Sequence, residues 1–247
     1  MKYVVMNVSH HGSGWFLRYI FARFRQKPLK LLITLVMSTK FVLENLRLSP
    51  KFKDRYELFR HSISKVSADG FFFEFGVANG DSINFLASLT PDITVYGFDS
   101  FEGIPEAWGD MPKGYFRLNE LPKVRRNVKL VVGLFQETLE PFLEGHTEKA
   151  KFIHMDADLY SSTKYVLFTL AKNNRLMKGT IIQFDKLFNY LGWWDTGEYK
   201  AFIEFVREFN VAFEYLGYVL ALGPGSVSIR ITEIQNSGGI QNLSGEK

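Results

Sequence analysis

The chain has 247 residues, of which 46% are hydrophobic and 16% aromatic, so it is long and apolar enough for one α/β domain and not disordered. It contains no cysteine, which excludes disulfide frameworks, thiolate zinc sites and cysteine nucleophiles. The formal charge of +4 is unevenly spread, because residues 1–60 hold 12 Lys and Arg against three acids and the remainder holds 18 against 23. The front of the chain is therefore strongly basic.

Two amphipathic patterns in the basic part predict helices, one over residues 15–26 and one from about 32 to 49. We expect a basic helical N-terminal extension over residues 1–55. Its simplest role is to pack on the following domain, over an active-site mouth or against a second copy in a homo-oligomer. Peripheral contact with an anionic membrane is an alternative. Nucleic acid is not expected as a partner, because no nucleic-acid-binding motif accompanies the charge.

The apolar run over residues 31–37 is much shorter than the roughly 20 residues of a membrane-spanning helix. The first residues also lack the pattern of a secretory signal peptide. Both observations predict a cytoplasmic location.

From residue 56 the pattern changes to short apolar runs that alternate with helical segments. The predicted strands are 71–75, 94–98, 128–132, 151–155 and 180–184, and the predicted helices are 81–89, 135–144, 160–173 and 196–209. Two adjacent β-runs near the end are too close for a helical crossover and predict an antiparallel hairpin. The expected fold is a doubly wound α/β domain over residues 56–234, with a mostly parallel sheet of about seven strands that ends in this hairpin. The polar segment 235–247 is expected to be a flexible tail.

Ligands of such sheets bind beyond the carboxyl ends of the strands, so the residues after each run are the candidate site. Glu74, Gly76 and Gly80 form a Gly-rich turn that enters a helix, where Asp81 or Ser82 is the expected cap. The turn lacks the three glycines of the dinucleotide fingerprint, and an acid at the strand end would repel a pyrophosphate. Ordinary turn chemistry explains the glycines equally well.

Acids follow several of the other strands. Asp99 lies 19 residues beyond Gly80, which is close to the offset at which an acid binds ribose hydroxyls. Gly133 follows the third predicted strand, where a glycine lets an adenine approach. Asp156 and Asp158 follow the fourth strand and Asp185 follows the fifth. The pattern favours an adenosine-containing ligand without a pyrophosphate.

Four sequence blocks resemble the macrocin, mycinamicin and novobiocin-type sugar O-methyltransferases, a branch of the class I S-adenosylmethionine-dependent methyltransferases. They are EFGVANGDSINFLA, VYGFDSFEGIPE, FIHMDADLYSSTKYVL and GTIIQFDKLFNYLGWWDTGEYKAFIEF, and the resemblance covers about residues 56–232. The resemblance implies an S-adenosylmethionine site built from Glu74, Gly76, Gly80, Asp99, Ser100, Gly133 and Asp156. The first three residues would surround the methionine part, Asp99 and Ser100 the ribose, and Gly133 the adenine.

The same branch holds a magnesium ion with carboxylates that correspond to Asp156 and Asp185 and with a further acid directly after the latter. In this chain that position is Lys186. We hypothesise that Lys186 takes over part of the metal's electrostatic role and that Asp158 accepts the proton of the acceptor. Other interpretations are that two carboxylates still hold the metal, that the site is inactive, or that Asp158 is only a helix cap.

The resemblance implies transfer of a methyl group to a hydroxyl of a sugar or glycosylated small molecule. Two other functions stay open. One is a catalytically inactive Rossmann-like binding module with a membrane-peripheral N-terminus. The other is a nicotinamide-dependent oxidoreductase, which the missing glycine fingerprint disfavours. The aromatic residues Phe188, Tyr190, Trp193 and Trp194 either stack on the acceptor or pack within their own loop.

Overall fold

The structure, a computed structural model, describes residues 28–67, 70–220 and 223–235. The helix predicted over 15–26 and nearly all of the predicted tail lie outside these ranges. The described helices are α1 Pro28–Phe41, α2 Arg55–Ile63, α3 Asp81–Leu89, α4 Phe135–Glu144, α5 Tyr160–Lys172 and α6 Gly197–Glu208. The strands are β1 Lys51–Phe52, β2 Phe71–Phe75, β3 Val95–Asp99, β4 Val128–Val132, β5 Ala150–Met155, β6 Ile181–Phe188, β7 Ala212–Val219 and β8 Gly225–Glu233.

The strands form one sheet in the order β1-β7-β8-β6-β5-β2-β3-β4. The pairs from β6 through β4 are parallel, and so is the pair of β1 with β7. Strand β8 is antiparallel to both of its neighbours. The predicted doubly wound sheet with a terminal hairpin is thereby confirmed. The sheet has one more strand than expected, because β1 has only two residues and leaves no periodic signal in the sequence.

Both faces of the sheet are covered, as the alternation of side chains along β2 illustrates. Phe71, Phe73 and Phe75 point into the larger apolar cluster, which packs under α4, α5 and α6. Phe72 belongs to the second cluster, under α2 and α3. Because a strand between two helical layers is apolar on both sides, β2 appears in the sequence as a continuous apolar run.

The N-terminal helix packs on the domain through its C-terminal half. Phe41 is 5% exposed, and its ring lies 5.2 Å from those of Phe188 and Trp193. A π-helical turn, Val42–Leu46, continues the helix and buries Leu46 completely. Phe41 and Leu46 therefore belong to the main apolar core. Within the described ranges, no helix combines the length and the hydropathy needed to cross a bilayer.

Two local predictions were wrong. Strand β6 runs to Phe188, so Asp185 and Lys186 lie within it and do not follow it. Helix α3 has Gly80 at its N-cap with φ 84° and no side-chain cap, because Ser82 instead donates to Glu74 at 2.9 Å.

Replacing Phe41 tests whether α1 is an integral part of the domain. Phe41→Ala should lower the free energy of unfolding by about 3–5 kcal/mol, because the change leaves a cavity among aromatic rings. The matched control Leu43→Ala, at a side chain that is 60% exposed, should change it by less than about 0.5 kcal/mol. Urea denaturation measures both values, and equal effects of the two variants would contradict the packing role of Phe41.

Candidate functional site

A buried cluster of charged side chains lies where β5 and β6 end. The Lys186 ammonium contacts Asp156 Oδ1, lies 2.8 Å from Asp158 Oδ1 and lies 3.6 Å from Asp185 Oδ2. Lys186, Asp158 and Asp185 are 7%, 7% and 8% exposed, so water screens these interactions only weakly. The structure thus brings together Asp156, Asp158, Asp185 and Lys186, the four acceptor-side residues that the sequence predicts.

A bulge in β6 explains how Asp185 and Lys186 both reach this cluster. The strand pairs with β8 up to Phe184 and again at Phe188, and the register shifts between these two residues. In a regular strand Asp185 and Lys186 would point to opposite faces of the sheet. The bulge lets both neighbours reach the same cluster.

A left-handed backbone conformation at Asp158 explains how Asp156 and Asp158 reach the same cluster. Asp158 has φ 59°, a conformation that non-glycine residues rarely adopt and that Asp tolerates better than most. The turn places Asp156 and Asp158 on the same ammonium. Helix α5 begins at Tyr160 with Leu159 at its N-cap and no side-chain cap, so the Asp158 carboxylate pairs with Lys186 and does not cap that helix.

The charge states follow from burial and pairing. Burial alone would lower the pKa of Lys186, but the carboxylates around it raise that pKa well above its ordinary value. Burial likewise would raise the pKa of Asp185, yet Arg55, His154 and Lys186 hold it well below its usual range. Burial raises the pKa of Asp158 to about 6, because Lys186 offsets only part of the desolvation. At neutral pH Lys186 is therefore an ammonium, and Asp158 and Asp185 are carboxylates.

Arg55, the first residue of α2, adds a second cation to the cluster. Its Nη1 lies 3.3 Å from Asp185 Oδ2 and 3.9 Å from Asp156 Oδ2. Its guanidinium carbon also lies 5.2 Å from the centre of the Tyr56 ring. The sequence analysis missed Arg55, because it precedes the first strand of the predicted domain by 16 residues and shows no motif.

Glu198, near the start of α6, is another member that the sequence analysis missed. It is completely buried, and its Oε2 accepts a hydrogen bond from the Lys186 N–H at 3.0 Å. Burial raises the pKa of Glu198 well above its ordinary value, with Lys186 opposing the shift. A first-turn glutamate is common at exposed helix starts, so only its burial marks it as part of the site.

A second buried network lies behind the cluster. Glu74 accepts from Ser82 Oγ at 2.9 Å and contacts His154 Nδ1 at 2.9 Å, and the His154 Nε2 lies 3.8 Å from Asp185 Oδ1. Burial alone would lower the pKa of His154, but the charge of Glu74 and the nearby Asp185 raise it to about 10. His154 is therefore an imidazolium that links the two networks. The carboxylate of Glu74 is fully buried within them.

The donor set does not fit a magnesium ion, although ligand atoms of His154, Asp156 and Asp185 lie within 4.8 Å of one another. The imidazolium of His154 has no lone pair to offer a metal. Lys186 and Arg55 already engage the two carboxylates that the sequence proposed as metal ligands, Asp156 and Asp185. Lys186, Arg55 and the His154 imidazolium offset the charge of the carboxylates, so the cluster is a poor site for a dication.

The predicted donor side is centred on Asp99 at the end of β3. Asp99 Oδ2 accepts from the N–H groups of Val77 and Ala78, both at 2.8 Å, and Oδ1 accepts from Phe101 N–H at 2.7 Å. A carboxylate offers about four lone-pair positions, so roughly one is left for a ribose hydroxyl. The Ser100 hydroxyl beside it accepts from Glu102 N–H at 3.2 Å. Asp99 and Ser100 are half-buried, and their binding of the ribose of S-adenosylmethionine stays a prediction.

The structure gives a steric or conformational reason for glycine at each of the three predicted positions, Gly76, Gly80 and Gly133. A Cβ at Gly76 would lie 2.1 Å from the Asp156 carbonyl oxygen, and one at Gly133 would lie 2.7 Å from Thr138 Cγ2. Gly80 adopts φ 84° at the start of α3, where glycine is favoured. Gly76 thus brings the donor-side loop against the acceptor-side turn at backbone distance.

The aromatic block after β6 serves mainly to pack the loop. Phe188, Tyr190 and Trp193 are 0%, 5% and 2% exposed. The Trp193 N–H donates to Ser38 Oγ of α1 at 3.1 Å. Trp194 is half-buried, so of these four rings it is the one that retains substantial exposed surface.

Comparisons with known proteins indicate the type of domain and the fold. Residues 73–187 match a family model described as a methyltransferase domain. The search of curated proteins found no significant match. The chain is similar to the crystal structure of CalS11, a calicheamicin methyltransferase, at 20% identity over 93% of this chain and 99% of that one, with a TM-score of 0.56. It is also similar to the apo structure of CalS11, a TDP-rhamnose 3′-O-methyltransferase, at 20% identity over 90% and 96% of the two chains, with a TM-score of 0.51.

The structural similarity supports the fold, and the family match covers strands β2 to β6 with the acceptor-side cluster. The family match favours the methyltransferase interpretation over a nicotinamide-dependent oxidoreductase. Residues 73–187 therefore match a methyltransferase domain within a class I Rossmann-like fold, and the chain is an S-adenosylmethionine-dependent methyltransferase.

Proposed function

We propose that this chain transfers a methyl group from S-adenosylmethionine to a hydroxyl of a sugar or glycosylated small molecule, without a metal ion. The observation that carries the proposal is the Lys186 ammonium among Asp156, Asp158 and Asp185. The sequence resemblance supports the sugar acceptor, as does the description of CalS11 as a methyltransferase for TDP-rhamnose. The predicted small-molecule partner and the donor-side residues are part of the same proposal.

Bound S-adenosylmethionine supplies an electrophilic methyl group on a positively charged sulfur. The acceptor oxygen forms a bond to that methyl carbon as the carbon–sulfur bond breaks, and the acceptor proton passes to the Asp158 carboxylate. The electron pair of the broken bond stays on sulfur, which becomes neutral. Lys186 stabilises the negative charge that develops on the acceptor oxygen, and its own contact with Asp158 keeps that base ionised at neutral pH.

Arg55, His154 and Glu198 are positioning residues in this mechanism. Arg55 neutralises Asp185, so the Lys186 ammonium is shared mainly between Asp156 and Asp158. Glu198 holds the backbone N–H of Lys186 and fixes the bulge of β6. Arg55 and Glu198 thereby set the direction in which the ammonium points, and His154 faces Asp185 from the other side of the cluster.

Replacement of Asp158 tests the proton acceptor. Release of S-adenosylhomocysteine over a panel of sugars and glycosides identifies a usable acceptor. With that acceptor, Asp158→Asn should lower kcat by roughly 10²–10⁴-fold, the usual contribution of a general base. Asp92→Asn, at an exposed carboxylate outside the cluster, is the control and should keep wild-type activity. If the Asp158 variant keeps kcat within a few-fold, Asp158 is not the base.

The pH profile gives a second test of the same residue. The pKa of Asp158 lies near 6, and only its ionised form accepts a proton. We therefore expect kcat/KM of the wild type to be constant above this pH and to fall about tenfold per pH unit well below it. A steady-state profile that stays flat through this range would exclude Asp158 as the group that titrates.

Exchange of Lys186 tests the replacement of the metal. Wild-type turnover should survive exhaustive treatment with a chelator. Lys186→Met should lower kcat by roughly 10²–10³-fold, with or without magnesium, because the charge near the acceptor oxygen is lost. Lys186→Asp creates the adjacent acids of the resembled family and should gain a magnesium-dependent rise in melting temperature and partial recovery of kcat.

The two Lys186 variants serve as controls for each other, because both lose the ammonium and only the aspartate adds a ligand. Thermal shift measures binding independently of turnover. Loss of wild-type activity on chelation, with recovery on addition of magnesium, would overturn the metal-free mechanism.

A further inference from the structure

The outer face of α1 and the π-helical turn is apolar and open to solvent. Its members, called here the leucine face, are 57–68% exposed: Leu29, Leu32, Leu35, Val36 and Leu43. Leu29, Leu32 and Val36 stand at i, i+3 and i+7, which places them in one stripe. A shallow groove between Leu35, Val36 and Leu43 belongs to the same face. Contiguous exposed apolar surface of this kind marks an interaction site.

The inner face of α1 has the opposite character. Thr34 and Ser38 are 4% and 3% exposed, and Ser38 Oγ accepts from the Trp193 indole N–H. A helix on the surface of a globular domain normally buries its apolar stripe and exposes its polar residues. In the first three turns of α1 this arrangement is inverted, since the small polar residues face the domain and the leucines face outward. Burial in the core therefore does not explain these leucines.

The charge around the leucine face indicates what covers it. The first acid in the chain is Glu44, so residues 1–43 contain seven Lys and Arg and no Asp or Glu. In the described part, Lys30 and Lys40 of α1 and Arg47, directly after the π-helical turn, are exposed. Glu44 lies 3.9 Å from Lys40 and offsets one of these charges. An apolar stripe flanked by cations is suited to the interface of an anionic bilayer.

A second copy of the chain is less suited to this surface. Pairing two leucine faces would bring two strongly basic segments together at close range, and like charges repel. An anionic lipid surface instead accepts the leucines between its acyl chains and pairs the cations with its headgroups. We propose that the leucine face docks the protein on an anionic membrane surface as a peripheral contact.

Vesicle flotation of the full chain tests the docking surface, and it needs neither a methyl donor nor an acceptor. The wild type should bind vesicles of phosphatidylcholine mixed with phosphatidylglycerol at least about tenfold more tightly than vesicles of phosphatidylcholine alone. The double variant Leu32→Gln/Val36→Gln should weaken binding to the anionic vesicles about tenfold, because it removes apolar side chains from the stripe.

The control variant is Leu121→Gln, at a side chain that is 54% exposed in the long segment between β3 and β4. It removes a comparable exposed leucine and should leave vesicle binding unchanged. Circular dichroism and the melting temperature should match the wild type for both variants, because none of the changed side chains is buried.

Two results would overturn the proposal. One is a wild-type protein that does not float with anionic vesicles, with sedimentation showing a dimer that the double variant dissociates, since a second copy then covers the face. The other is equal flotation of the wild type and the double variant, which would mean that charge alone draws the protein to the lipid.

Discussion

The ammonium of Lys186, buried among three carboxylates, is the interaction around which the acceptor side of the domain is arranged. Asp156, Asp158 and Asp185 would repel one another strongly if they met without a cation, since burial removes most of the screening by water. The bulge of β6 and the left-handed turn at Asp158 are the local distortions that bring the groups together. The bulge and the left-handed turn are therefore explained by the charge cluster, because they place the carboxylates around the ammonium.

The cluster is tied to the donor side by the imidazolium of His154. Its Nδ1 contacts Glu74 at the end of β2, and its Nε2 faces Asp185 on β6. Ser82 extends this chain of polar groups into α3, whose N-terminus borders the predicted donor site. These contacts link β2, β5, β6 and α3, so the network joins the elements that carry the two halves of the predicted site.

The sequence predicted the central architecture because β2 to β5 are strongly apolar runs bounded by polar residues, and their limits agree within one residue. It missed β1, which is too short for any periodicity, and it ended β6 early, because two charged residues interrupt the run. It also singled out Asp158, which follows a predicted strand end, and Lys186, which stands where the resembled family has an acid, although β6 continues past Lys186. Arg55 and Glu198 could not be found in this way, because elements distant along the chain bring them into the cluster.

The contact of Gly76 with the Asp156 carbonyl has a mechanical consequence. The strands β2 and β5 are neighbours, and Asp156 N–H donates to the Phe75 carbonyl just before this glycine. The loop after β2 and the loop after β5 are therefore in direct backbone contact. A shift of one loop is transmitted to the other through backbone atoms, which are less free to move than side chains. The hydrogen atom that serves as the side chain of Gly76 thus keeps the backbones of these two loops, beside which donor and acceptor are predicted to bind, in contact.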